Sequence, residues 1–183
     1  LDKNILKKII LPKNLKNLGS GVFAGCKKLG TIGIAKENPY FTFEKNALYD
    51  KEKTLLYCYT EGAKSKSYSM PDSVIDIDEY AFWGNDSLQE IKFSINLKEI
   101  PSYSFSNCRN LLALSIPYSV KNIHQQNVSL ALAVSESVLK SKGVCRVHGG
   151  GFAGTIQAFV PDEMVEDFVK GMEDVLAPYK KKV

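Results

Sequence analysis

Residues 70–93 read MPDSVIDIDEYAFWGNDSLQEIKF, and residues 93–116 read FSINLKEIPSYSFSNCRNLLALSI. Overlaid at a 23-residue offset, they place Val74 on Leu97, Ile77 on Ile100, Phe82 on Phe105, Leu88 on Leu111 and Ile91 on Leu114. Residues 11–34, LPKNLKNLGSGVFAGCKKLGTIGI, supply another copy, with Leu15, Leu18, Phe23, Leu29 and Ile32 at the same places. A further copy begins at Ile116-Pro117, sets Val120 and Ile123 in register and then stops. Where an Ala-Phe pair is due, the chain reads Asn127-Val128. A fixed period of this length marks an array whose units cannot bury their apolar face alone and must stack. The Leu-x-x-Ile-x-Ile part of each unit predicts a short strand. The Phe and the Cys/Asn position that follows it are expected to plug the interior of each turn.

Between the first two copies lies an insertion at 35–69. Its string ENPYFTFEKNALYDKEKTLLYCYTEG alternates aromatic and polar residues around Asp50-Lys51-Glu52-Lys53, which predicts a β-hairpin. Five of the nine tyrosines fall in this insertion. Tyr40, Tyr49, Tyr57 and Tyr59 are therefore candidates for a recognition surface, since exposed tyrosines suit interfaces. Tyr57 and Tyr59 share one face by strand periodicity and can equally pack the hairpin against the array.

At 44% apolar and 24% charged residues, the chain of 183 residues has globular composition. No apolar run approaches the ~20 residues needed to cross a bilayer. Leu1 is not an initiator Met, so the absence of a visible leader carries no information. The net charge of +4 is uneven: residues 1–69 carry +7, residues 70–124 carry −3 and residues 125–183 are neutral. The basic part lacks an arginine cluster or an aromatic–basic ladder, so no nucleic-acid partner is expected. The four cysteines form no C-x-x-C pair and the chain has only two histidines, so no metal site is expected. Cys26 and Cys108 share one register of the repeat, which makes them buried positions with free thiols.

The recurring Pro-x-Ser-Val, Ala-Phe, Cys/Asn and Leu wording resembles the BspA-like leucine-rich repeat family over roughly residues 5–123. Gly21-Val22 and Tyr103-Ser104 depart from the usual residues before the Phe. The resemblance implies a β-solenoid of leucine-rich repeats over 1–124, carrying the inserted hairpin. It also implies a binding role, with a protein or glycan as ligand of the repeat surface.

Residues 125–183 read differently. Residues 129–140, SLALAVSESVLK, predict an apolar helix ended by Gly143, and residues 144–148 and 155–160 predict strands. Pro161-Asp162-Glu163 opens a second helix with acid in its first turn, which suits the helix dipole. Its apolar stripe comprises Met164, Val165, Phe168, Val169, Met172, Val175 and Leu176. The order is that of a small α+β fragment, helix–strand–strand–helix. Between the strands stand Gly149, Gly150, Gly151, Phe152, Ala153 and Gly154, a loop whose backbone N–H groups can face a phosphate or a close neighbour. No Gly-Lys-Ser/Thr follows, so this is not a P-loop.

The string VCRVHGGGFAGTIQAFVP at 144–161, after ALAVSE at 131–136, resembles the C-terminal segment of bacterial galactokinases, members of the GHMP kinases, over residues 129–183. The resemblance implies that residues 149–154 line a nucleotide and active-site loop, with Mg-ATP as cofactor and galactose as substrate. The family's Gly-Glu-His-x-Asp-Tyr sugar motif and Gly-Leu-Gly-Ser-Ser-Ala phosphate loop are absent from the chain. Phosphoryl transfer is mostly positioning and cationic stabilisation, so no catalytic residue, no cofactor and no activity are expected of this chain alone.

Two principal readings follow. One is a repeat binding or scaffold module carrying an incomplete kinase segment, whose apolar helix at 129–140 either covers the open end of the array or leaves apolar surface exposed. The other is a galactokinase fragment whose missing N-terminal domain lies elsewhere. A mis-joined reading frame without selected function is a third, marked by the break at Asn127, because arrays end in a cap. The repeat resemblance implies a cell surface and the kinase one a cytosol, so the sequence leaves localisation open.

Overall fold

The computed structural model describes residues 3–123, 144–148 and 155–176. In chain order the strands are β1 (Lys8–Leu11), β2 (Thr31–Ile34), β3 (Phe41–Glu44), β4 (Ala47–Asp50), β5 (Leu55–Tyr59), β6 (Ser67–Ser69) and β7 (Asp76–Ile77). They continue with β8 (Glu90–Lys92), β9 (Glu99–Ile100), β10 (Ala113–Ser115), β11 (Asn122–Ile123), β12 (Val144–His148) and β13 (Thr155–Phe159). A 3-10 turn at Asp162–Met164 leads into the helix α1 (Val165–Leu176).

The strands of the repeat pair in parallel at the offset read from the sequence. Ser67 stands opposite Glu90, Glu90 opposite Ala113, Glu99 opposite Asn122 and Lys8 opposite Thr31, each 23 positions on. Backbone bonds between the strands keep the same step. The N–H of Gln89 donates to the Lys66 carbonyl (2.7 Å), and that of Leu112 to the Gln89 carbonyl (2.9 Å). Strands of two to four residues contribute few such bonds each, so packing between coils must carry the rest.

That packing is aromatic. Phe82 and Phe105 stack with centroids 5.1 Å apart and planes 14° from parallel. Tyr59 continues the column, 5.9 Å from Phe82. All three are at most 2% exposed. Tyr68 closes on Phe82 and Phe93 on Phe105, each at 5.7 Å. Around the column lie Val74, Leu97 and Val120, Ile77 and Ile100, Leu88 and Leu111, and Ile91 and Leu114, all buried. Fully burying one such side chain stabilises the fold by ~1.5–3 kcal/mol, and a well-set aromatic pair adds ~0.5–1.5 kcal/mol.

The Cys/Asn position ties one coil to its predecessor. The amide of Asn85 donates to the Thr60 carbonyl (2.9 Å), and the Cys108 thiol sits 2.9 Å from the Phe82 carbonyl. Cys26, Cys58 and Cys108 are buried free thiols. Burial pushes the Cys108 thiol up to about 12 and displaces Cys26 and Cys58 in the same direction.

The insertion is richer than the single hairpin expected. β3, β4 and β5 form an antiparallel meander with two turns. The expected turn at Asp50 is present. Its carboxylate accepts from the N–H groups of Thr54 (2.7 Å) and Leu55 (3.0 Å), which fixes the bend. The additional turn is Lys45-Asn46, both left-handed at φ 47° and 67°, as a two-residue hairpin turn demands. β5 then pairs in parallel with β7, Leu56 opposite Ile77, so the meander feeds directly into the repeat ladder. The last residues of the 35–69 span belong to that ladder as β6. A second core gathers Phe41, Leu48 and Cys58 from the insertion with Leu11, Cys26, Leu29 and Ile32. Leu15, Leu18 and Phe23 pack against it only partly buried.

β12 and β13 pair antiparallel, Val144 opposite Phe159 and His148 opposite Thr155. From α1, Met172 packs partly buried against the aromatic core, while Val165 and Val169 remain exposed. The helix expected at 129–140 lies outside the described residues, and so does its expected docking on the end of the array. Among the described residues no helix is long and apolar enough to cross a membrane.

Replacing either column member should therefore be costly. Phe82→Ala or Phe105→Ala is expected to lose ~3–5 kcal/mol, against less than ~0.5 kcal/mol for the exposed Tyr118→Ala. Urea melts of the three variants measure this. Equal midpoints for Phe82→Ala and Tyr118→Ala would refute the column as the core.

Candidate functional site

The turns between strands carry the exposed chemistry. Each turn passes through left-handed backbone, at Gly21 (φ 61°), Tyr80 (φ 60°) and Tyr103 (φ 59°) in successive copies. A bulky residue there is an outlier, disfavoured by ~1–2 kcal/mol relative to ordinary helical backbone. Two features of the structure hold it. The rings of Tyr80 and Tyr103 stack at 5.4 Å with planes 14° apart. On the other side Tyr80 lies over Gly21, where a Cβ would come within 2.8 Å of the tyrosine ring. Glycine is thus required at position 21 by its neighbour, since tyrosine occupies the same backbone angle in the later copies. The turn is also tied from coil to coil, because the Ser20 hydroxyl donates to the Asp78 carboxylate (2.9 Å).

Trp83, the only tryptophan of the chain, follows on the same turn, 5.5 Å from Tyr80. Tyr80, Trp83 and Tyr103 are all half-buried, so each keeps an accessible face. Beside Trp83 opens a groove of about 320 Å³. Lys27, Lys64 and Arg109 supply cations to it, Glu61 and Asp86 carboxylates, and Ser87 and Asn107 a hydroxyl and an amide. Glu61 is anchored, since the N–H of Gly25 donates to its carboxylate. Burial pushes the Glu61 carboxyl above the usual range, opposed by that N–H and by the nearby Lys27 ammonium.

The tyrosines singled out in the sequence divide into two groups. Tyr49 and Tyr59 are 1% and 2% exposed and belong to the core, which corrects the reading of Tyr49 as a surface residue and gives Tyr59 the packing role that strand periodicity also offered. Tyr49 bonds the Tyr68 hydroxyl, and burial pushes its own hydroxyl up to about 12. Tyr57 is half-buried with its ring edge-on to Phe41 at 5.4 Å, and burial raises its pKa. Tyr40 stays exposed, with the Lys16 ammonium 5.8 Å from its ring centre. The glycine loop, Gly149, Gly150, Gly151, Phe152, Ala153 and Gly154, lies outside the described residues.

The turn face itself was missed in the sequence, although one signal pointed to it. Tyr80 and Tyr103 recur at the 23-residue period outside the apolar set, where buried-core logic does not ask for them.

The family model of the BspA type leucine rich repeat region matches residues 2–55 and 52–142. The match runs past the expected boundary at 124. No curated protein matches the chain. Among solved structures, the pneumococcal vaccine antigen PcpA is similar at 27% identity and a TM-score of 0.63, over 68% of this chain and 30% of its own. A leucine rich cell surface protein from Faecalibacterium prausnitzii matches at 24% identity and a TM-score of 0.52, over 66% of this chain and 38% of its own. A leucine-rich repeat protein from Eubacterium ventriosum matches at 19% identity and a TM-score of 0.50, over 68% of this chain and 43% of its own. The chain thus spans less than half the length of these three structures. The family match, the 23-residue ladders and these neighbours agree, and the chain belongs to the BspA type leucine-rich repeat family.

Proposed function

We propose that this chain is a binding module built as a short β-solenoid, with a protein or glycan as the partner of its turn face. The observation that carries this reading is the Tyr80–Tyr103 stack with Trp83 beside it. Tyrosine, tryptophan and arginine dominate binding hot spots because they offer large contact area with few rotatable bonds. Here the coil spacing fixes the rings before any partner arrives, so little side-chain freedom is left to lose on binding. The left-handed tyrosines add weight, since strained backbone persists where its surroundings impose it and concentrates at functional positions. Tyr40 and Tyr57 of the insertion remain candidates for a second contact.

A panel of immobilised proteins and glycans, probed with the labelled chain, tests this. Partners found should be lost or weakened ~30-fold by Trp83→Ala or Tyr103→Ala, as hot-spot truncations of ~2 kcal/mol imply. A partner that binds both variants as tightly as the parent would remove the turn face from the interface.

The galactokinase resemblance belongs to the same proposal as its finer part. Residues 129–183 are read as a kinase C-terminal segment that is inactive alone. The string at 144–161 supports this, together with the order β12, glycine loop, β13, α1. Mg-ATP would serve it only alongside the sugar and phosphate motifs that residues 1–183 lack. A coupled assay with galactose and Mg-ATP should give no turnover above a Gly150→Trp control. Turnover above that control would restore the enzyme reading.

A further inference from the structure

The groove beside Trp83 combines features that a protein contact alone does not call for. Its walls are polar, and Trp83 is its one large apolar side chain. A protein hot spot is built around a dry apolar centre. A single aromatic face ringed by charged and hydroxyl groups suits a pyranose ring instead, whose C–H face packs on an indole while its hydroxyls meet donors and acceptors. The volume of about 320 Å³ falls at the small end of ligand pockets.

Charge narrows the class. Lys64 and Arg109 stand outside the ion pairs Lys13–Glu37 and Lys53–Glu44, while Lys27 lies near the Glu61 carboxylate without closing an ion pair. All three cations are exposed and line the groove. An arginine fork matches the oxygens of a carboxylate or sulfate in bidentate fashion. The carboxylates of Glu61 and Asp86 complement this by accepting from sugar hydroxyls, and Glu61 is already oriented by the Gly25 N–H. Asn107 stands at φ 63° on the turn carrying Arg109, in register with Gly84 of the preceding coil. The coil stacking that builds the core therefore brings Trp83 and Arg109 to the same groove.

We propose that this groove is a carbohydrate subsite for an anionic sugar, its ring on Trp83 and its acidic group held by Arg109 with Lys64 and Lys27. The inference rests on the binding-module reading and names the class of ligand for one part of that surface.

Trp83 is the sole tryptophan, so its fluorescence reports the groove directly. The full chain is titrated with 3′-sialyllactose, with lactose and with a sulfated chondroitin disaccharide. At least one anionic sugar should change the emission saturably and bind about tenfold or more tightly than lactose, with the preference falling as salt rises. The two anionic arms separate carboxylate from sulfate as the preferred acid. Arg109→Gln with Lys64→Gln should abolish the preference while thermal melts match the parent, because both residues are exposed. Equal binding of lactose, no response to either anionic sugar, or a preference that survives the double variant would overturn the proposal. If Trp83→Ala loses panel partners while neither anionic sugar binds, the sugar subsite falls and the binding module stands. If Trp83→Ala loses none of them, the module reading falls on its own.

Discussion

The repeat ladder and the turn face it carries depend on the stacking of Phe82 on Phe105 at one repeat length, 5.1 Å apart and nearly parallel. Parallel strands sit ~4.8 Å apart, so rings that repeat once per coil are brought to stacking distance without adjustment. A coil with two- or three-residue strands forms too few backbone bonds to hold its place. The column supplies the missing cohesion and, with it, the register. A slip of one residue would carry Phe82 off Phe105 and at the same time turn Ile91 and Leu114 away from the core. Asn85 and Cys108 reinforce the same register from the polar side, each reaching a carbonyl of the coil before it.

The register that builds the core also builds the surface. Whatever repeats outside the apolar set is stacked just as surely, which is why Tyr80 and Tyr103 form a second aromatic column at the turn. Their cost in left-handed backbone is offset by ring stacking and by the absence of a side chain at Gly21. Trp83, the three cations and the anchored Glu61 gather beside that column because each sits on a turn placed by the ladder. The core and the proposed recognition face thus draw on one periodicity, and disturbing the core would scatter the turn face with it.

The repeat was legible because identical apolar positions recur at a constant spacing, and burial confirmed each of them from Val74 to Leu114. Two things were not legible. Tyr59 occupies the ring position ahead of Phe82, yet it arrives from the insertion, where strand alternation set it on one face with Tyr57 without showing which core that face would join. Only the pairing of β5 with β7 reveals its place, and that is a long-range fact without a local signature. The Lys45-Asn46 turn was hidden for another reason. Lysine is an unusual residue for left-handed backbone, so asparagine alone carried the signal. At the candidate site, the single tryptophan and the periodic tyrosines were visible as letters. Their convergence with Lys27, Lys64 and Arg109 was not, because these residues come from separate copies and from the insertion between them.

The central claim is the in-register parallel stack, and one cross-linking measurement addresses it. Ser67 and Glu90 are exposed partners on neighbouring strands, while Lys92 is two residues further along the same face. Paired parallel residues lie ~5 Å apart at Cα, within disulfide reach, whereas a two-residue diagonal exceeds the ~7 Å limit. The chain with Ser67→Cys and Glu90→Cys should close a disulfide readily under mild oxidation, and the chain with Ser67→Cys and Lys92→Cys should not. Closure of the second pair as fast as the first, or failure of the first, would contradict the 23-residue register.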